Sequence, residues 1–244
     1  MTFGEPRFFY ERVSSTQDVA REMARAGAIP GTVIAAATMK AGRGRRGRTW
    51  HAPPNGNVTL TAIGASVPPE TLWQLTFVSG VAAVEALAEI APATPARLRF
   101  PNDVQIDGRK LGGILVEAML QGGSAIPLIG IGLNVAPREW PEDLANRAIA
   151  LSETDNTASV EEVEKALLSA LTRIWHQWQM DGFEAILPLY NAYRDLEARR
   201  EFVRDGKTLR CKVLHMAVDG TVTLEAEDGI RWSACAPEVV LGND

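Results

Sequence analysis

From Lys40 to Arg48 the chain carries five basic side chains and three glycines, with no acid among them. Glycines let backbone N–H groups come close to a ligand, while guanidiniums supply forked donors matched to carboxylates and phosphates. The stretch Ala41-Gly42-Arg43-Gly44-Arg45-Arg46-Gly47-Arg48 therefore suits the enclosure of a small anion. It suits a solvated, mobile basic loop equally well. A nucleic-acid patch is a third reading, and the formal charge of −5 without a second basic cluster counts against it.

Three further patches share a character: small, amide or hydroxyl residues at strand or helix ends, with few cations. They are Ser15-Thr16, then Pro101-Asn102-Asp103 with Lys110-Leu111-Gly112-Gly113-Ile114-Leu115, then Gly130-Ile131-Gly132-Leu133-Asn134. Each has a bland reading. Ser15-Thr16 is more often a helix cap, Asn102-Asp103 a turn, and Lys110 a solvated hairpin lysine. Gly130 and Gly132 fit a bulge or close backbone packing.

These residues have to be positioned by local elements. Ser14 with Gln17 fits a capping box for a helix running to Arg25, with Gly27 as the stop. Thr32 to Met39 reads as a buried strand that delivers the basic loop. Asn57 to Ile63 alternates Val58, Leu60 and Ala62 against polar partners, as a strand does. Pro68-Pro69 opens a helix to about Ile90, with Leu72, Leu75, Val78, Val81 or Ala82, and Glu85 or Ala86 at helical spacing. Strands follow at Arg97–Phe100, Val104–Ile106, Leu111–Met119 and Ile126–Val135, with a hairpin turn at Asp107-Gly108 and another at Gly122-Gly123. Val160–Gln179 and Phe183–Leu196 read as helices. Beyond Glu201, Asp205-Gly206, Asp219-Gly220 and Asp228-Gly229 punctuate short β-rich runs, which predicts a small antiparallel barrel or meander of about five strands. The expected boundary lies near residue 198, dividing the chain into 1–197 and 198–244.

Composition narrows the class. The 244 residues, 46% hydrophobic and 23% charged, are ordinary for a globular protein of one domain or one domain plus a small module. The start lacks an apolar signal core, and no apolar run has the length of a membrane helix, so a cytoplasmic protein without membrane association is expected. Cys211 and Cys235 are expected reduced. His51, His176 and His215 show no metal-ligand spacing. A Mg²⁺ held mainly by phosphates would leave little trace in such a sequence.

Taken in order, the patches resemble the biotin–protein ligases. The resemblance rests on Ser15-Thr16-Gln17-Asp18, Gly42 to Arg48 with Trp50, Pro101-Asn102-Asp103, Lys110 through Glu117, and Gly130 to Asn134, and runs from roughly residue 8 to 241. It implies an α+β catalytic domain with a mixed sheet like that of class II aminoacyl-tRNA synthetases, helices mostly on one face, and a small SH3-like C-terminal barrel. It implies activation of biotin by ATP as biotinyl-5'-AMP and transfer to a lysine of a biotin carboxyl carrier protein, by a monomer or homodimer. Lys110 and Arg45 then stand as the catalytic pair. Ser15, Thr16, Arg43, Arg45, Lys110, Gly113, Gly130 and Gly132 would line biotin. Arg45, Trp50, Asn102, Asp103, Lys110 and Asn134 would meet the nucleotide, with Asp103 as a Mg²⁺ ligand.

The chain departs from the family pattern in three places. Met39 replaces a common glutamine, Arg99-Phe100 stands where lysine-tryptophan is common, and Gly242 lies where some members place an arginine. A thioether cannot replace an amide's hydrogen bonds. A ligase for lipoate or another short-chain acid, and a non-catalytic biotin or adenylate binder, are the alternatives. Some relatives carry an N-terminal helix-turn-helix. About a dozen residues precede Ser15 here, so a repressor role is not expected.

Overall fold

The computed structural model describes residues 1–50, 53–136, 139–154 and 156–236; His51 and Gly242 lie outside them. The chain opens with β1 (Arg7–Val13), α1 (Thr16–Arg25), β2 (Val33–Met39) and β3 (Asn57–Ile63). Helix α2 (Gln74–Ile90) leads to β4 (Arg97–Arg99), β5 (Asp103–Ile106), β6 (Arg109–Gln121) and β7 (Ser124–Asn134). Helices α3 (Val160–Asp181) and α4 (Phe183–Tyr193) follow, then β8 (Arg199–Arg204), β9 (Lys207–Met216), β10 (Thr221–Ala226) and β11 (Arg231–Cys235).

Strands β1 to β7 form one mixed sheet in the order β1-β2-β3-β7-β6-β5-β4, in which β1 and β2 are parallel and the other pairs antiparallel. Successive side chains of a strand point to opposite faces, and the core divides accordingly. Val33, Ala35, Leu60, Ala62, Ile129 and Ile131 join a large core with residues of α2, α3 and α4. Ile34, Ile63 and Leu128 point the other way and close a small core with Ala20 of α1. Among the described residues no helix is long and apolar enough to cross a membrane.

Several elements differ from the sequence expectation. The cap of α1 is Ser15, whose hydroxyl accepts from Gln17 N at 3.3 Å, and not Ser14. Strand β1 has no forecast in the sequence, because Arg7 to Arg12 are all exposed on a sheet edge and show no alternation. Strand β3 is buried at every position, since its threonines line a cavity. Helix α2 starts at Gln74, after a separate 3-10 turn at Pro69–Thr71.

Strands β8 to β11 form a separate four-stranded antiparallel sheet in the order β11-β10-β9-β8. Its apolar residues, among them Phe202, Val213 and Leu224, continue the large core. Arg194, 8% exposed, donates to the Val213 and Leu214 carbonyls at 2.6 and 3.1 Å and ties the last helix to β9. Neither Cys211 nor Cys235 is in a disulfide, and burial pushes the Cys211 pKa up to about 11.

Candidate active site

Strand register builds the floor. Asp103 of β5 lies opposite Gly113 of β6, Gly113 opposite Gly132 of β7, and Gly132 opposite Thr59 of β3. One step along the strands, Leu115, Gly130 and Thr61 form a second row on the same face. The glycines leave a trough where side chains would stand. A Cβ on Gly132 would come 2.6 Å from the Trp50 ring, and one on Gly130 would come 2.6 Å from Gln17 Nε2. The trough opens into a cavity of about 560 Å³. Ser15, Thr16, Arg43, Arg45, Trp50, Asn102, Asp103, Lys110, Gly113, Gly130, Gly132 and Asn134 all line it.

The row nearer α1 is neutral. Thr61 donates to the Thr16 hydroxyl at 2.8 Å, and Gln17 donates to the Leu115 and Leu128 carbonyls at 2.9 and 3.3 Å. The Thr16 N–H and hydroxyl reach only the soft Met39 sulfur, at 3.5 and 3.8 Å. Gln17 Oε1 and the Trp50 indole N–H are buried without a hydrogen-bond partner. Buried polar atoms ordinarily find one, and both of these belong to residues that line the cavity.

The other row is charged. Asp103, 4% exposed, accepts from Lys110 Nζ at 2.5 Å through one oxygen and from Arg200 Nη1 at 2.9 Å through the other. Burial alone would push the Asp103 carboxyl up, but the charges of Lys110 and Arg200 outweigh it and hold the carboxyl below its ordinary value. Both oxygens are thus engaged by cations, which does not fit Asp103 as the holder of Mg²⁺. Nor does any group of three His, Cys, Asp or Glu among the described residues make a metal cage.

The amides frame the lysine. Asn102 donates its side-chain N–H to the Ile114 carbonyl at 2.9 Å, and Asn134 donates to the Ile149 carbonyl at 3.2 Å. Lys110 itself is tied through its backbone to Arg147 and Ile149, at 2.8 and 3.0 Å.

The basic loop folds back as a short hairpin. Gly44 N donates to the Arg48 carbonyl at 2.7 Å, and Trp50 N to the Gly42 carbonyl at 2.9 Å. Only glycine fits at 42, where a Cβ would approach the Trp50 carbonyl to 2.5 Å. Arg43 grips both oxygens of Asp18 on α1 at 2.7 and 3.0 Å, with Glu117 at 3.7 Å. That hydrogen-bonded pair lowers the Asp18 pKa and raises that of Arg43. Arg43 therefore anchors the loop to α1, while Arg45 and Arg48 line the cavity.

Arg200 is the main residue that motif reading overlooks. It lies outside every patch, yet in β8 it shares a face with buried Phe202, and inward parity for a charged residue was the available signal. Thr61 and the Gln17 side chain were overlooked too, since the register of β3 on β7 places the first and the seating of α1 over β6 and β7 places the second.

Residues 9–134 match the sequence profile of the biotin/lipoate A/B protein ligase family. The bifunctional ligase/repressor BirA of Bacillus subtilis is 30% identical over 242 residues, covering 93% of this chain and 72% of that protein. The biotin–[acetyl-CoA-carboxylase] ligase of Mycobacterium tuberculosis is 33% identical over 156 residues, 60% of this chain and 57% of that one. Among solved structures, biotin protein ligase from Aquifex aeolicus in complex with biotin and ATP superposes with a TM-score of 0.80 at 26% identity, covering 98% of this chain and 99% of that one.

Proposed function

The chain belongs to the biotin/lipoate A/B protein ligase family, and from that premise we propose that it activates biotin with ATP and transfers the biotinyl group to a lysine of a biotin carboxyl carrier protein. The observation that carries this reading is the juxtaposition, in one glycine-floored cavity, of a neutral hydroxyl–amide row and a Lys110–Asp103–Arg200 cluster. A neutral ureido ring needs donors and acceptors without charge, which Ser15, Thr16, Thr61 and Gln17 offer. The reacting end needs the opposite. A biotin carboxylate oxygen attacks the α-phosphorus of ATP, pyrophosphate leaves, and two anionic groups are brought together.

In this proposal Lys110 supplies positive charge between carboxylate and α-phosphate, with Asp103 and Arg200 holding it in place. Arg45 and Arg48 cover the mixed anhydride against water until the carrier lysine amine attacks the acyl carbon and AMP leaves. Trp50, Asn102 and Asn134 border the nucleotide. A Mg²⁺ supplied as MgATP would neutralise phosphate charge and would need few protein ligands of its own. The 1–197 ligase domain with a class II synthetase-like sheet, the 198–244 SH3-like module and a cytoplasmic setting belong to the same proposal. The second sheet beginning at Arg199 supports the division. Incubating the protein with biotin, MgATP and a carrier domain should add one biotinyl mass to one acceptor lysine. An unmodified acceptor would reject the reading.

Two variants probe its parts. Arg45→Gly should still form biotinyl-AMP but release it, so that bystander lysines become labelled; labelling confined to the carrier would reject the covering role. Met39→Gln should tighten biotin binding by about 1 kcal/mol, because an amide lining the cavity can offer biotin a hydrogen bond that the thioether cannot. Calorimetric titration with biotin and with lipoate checks this. Weaker biotin binding in the variant would mean that the pocket is fitted to the thioether, and a wild type preferring lipoate would overturn the choice of acid.

A further inference from the structure

The basic loop is tied at its base by backbone and farther out by charge. Lys40 N and Ala41 N donate to the Val13 and Ser14 carbonyls at 3.0 and 2.9 Å. Beyond Gly42 every nitrogen of the Arg43 guanidinium faces a carboxylate. Nη1 and Nη2 donate to the two oxygens of Asp18 at 3.0 and 2.7 Å, and Nε lies 3.7 Å from Glu117 Oε1. The other Glu117 oxygen accepts from Arg21 Nη2 at 2.5 Å. Acids and arginines of α1, β6 and the loop thus form one charge-balanced network, and Asp18, Arg21 and Glu117 lie outside the cavity lining. We infer that Asp18, backed by Glu117 and Arg21, is a positioning residue: by gripping Arg43 it holds the loop over the cavity and so governs how long the adenylate stays bound. The inference rests on the biotin-activating reading given above.

The hairpin transmits the grip. Arg43 and Thr49 face one another in a backbone bridge, and Gly44 N donates to the Arg48 carbonyl at 2.7 Å. Arg45 and Arg48, which line the cavity, stand at the two ends of the short turn between them. A side chain fixed at 43 therefore limits where those two arginines can go. A planar guanidinium held through two prongs also fixes orientation, which a single contact does not. The grip reaches the ring site as well. Asp18 follows Ser15, Thr16 and Gln17 directly in the first turn of α1, so the residues assigned to the ureido ring and the residue that holds the loop belong to one rigid piece.

A direct role for Arg43 on the ligand predicts the opposite sign. Were its guanidinium to bind the phosphate of the mixed anhydride, Asp18 would compete for it, and removing that charge would lengthen retention. A grip on the loop predicts shorter retention.

Asp18→Asn should release biotinyl-AMP about fivefold faster than wild type, the scale of losing one two-pronged, partly exposed ion pair. Release is read by loading radiolabelled adenylate and diluting into excess unlabelled biotin. Arg43→Gln, and the double variant Asp18→Asn/Arg43→Gln, should match Asp18→Asn, because each breaks the same contact. Asp18→Glu should recover part of the retention. Added salt should speed release from wild type more than from Asp18→Asn, since the Arg43 and Asp18 side chains, 36% and 42% exposed, are open to screening. Amide hydrogen exchange of the ligand-free protein gives a readout independent of the reaction. The Gly44 and Trp50 N–H groups should exchange faster in Asp18→Asn, with α2 unchanged. Retention that is unchanged or lengthened in Asp18→Asn overturns the inference, and so does unaltered exchange at Gly44 and Trp50. Additive losses in the double variant would place Arg43 on the ligand and overturn it too. A wild type that forms no adenylate rejects the biotin reading instead, and the exchange measurement then decides the positioning role by itself.

Discussion

Lys110→Ala is expected to lower biotinyl-adenylate formation by about 10²–10³-fold while leaving the fold intact, the usual cost of deleting one preorganised charge at a site of developing charge. The Lys110 side chain is 38% exposed, so its loss opens no core cavity, and Asp103 keeps Arg200 as its partner. In the proposed reaction the lysine acts where carboxylate and phosphate charge is brought together, and that demand peaks in the transition state. The deficit should therefore fall mainly on kcat, with biotin affinity nearly unchanged. Pyrophosphate release and a biotin titration measure the two separately. Adenylate formation near the wild-type rate would remove Lys110 from the mechanism, and a loss confined to KM would make it a binding group.

The second large effect is expected at a residue in the C-terminal sheet. Arg200→Met deletes one member of a buried ion cluster, with the Arg200 and Asp103 side chains 7% and 5% exposed. Removing one partner of such a pair leaves a charge poorly compensated and should cost about 3 kcal/mol. In a chain of this size that corresponds to a melting temperature lower by roughly 9 °C. Its pH dependence has a definite sign. Because the folded-state pKa of Asp103 is depressed below 3.8, its contribution is complete above that value and is lost as pH falls through the lower folded value. In the variant burial is opposed mainly by Lys110, so the carboxyl pKa rises towards or past its ordinary value. The stability gap between wild type and variant should be widest near neutrality and close as pH falls below about 4. A gap independent of pH across that range would show that Asp103 does not carry the effect.

The local elements were largely legible because their physics is local. The β-branched, alanine-rich run ending at Met39, the alternation at Asn57–Ile63 and the Asp-Gly turns each encode their element within a few residues. Strand β1 was illegible for the opposite reason: an edge strand exposed on both faces needs no apolar period, and its partner is what makes it a strand. Ser15 took the cap from Ser14 by a single position, a difference that hydroxyl geometry decides and spacing does not.

The sequence alone singled out the residues to which the proposed chemistry is assigned: the arginine-glycine loop, Lys110, Asp103, and glycines where a side chain would fill the trough. Only the tertiary structure decided how they face one another. The register of β5 on β6 shifts between Val104 and Gln105, so Val104 lies opposite Gly112 but Gln105 lies opposite Lys110, and Leu111 is skipped into the core. Side chains alternate with period two, so without that extra residue Lys110 would point into the core face and Leu111 would stand beside Asp103. Arg200 reaches the same carboxylate from a strand 97 residues away in sequence. A bulge and a long-range ion pair are properties of strand pairing and packing between sheets, and no local window of residues contains them.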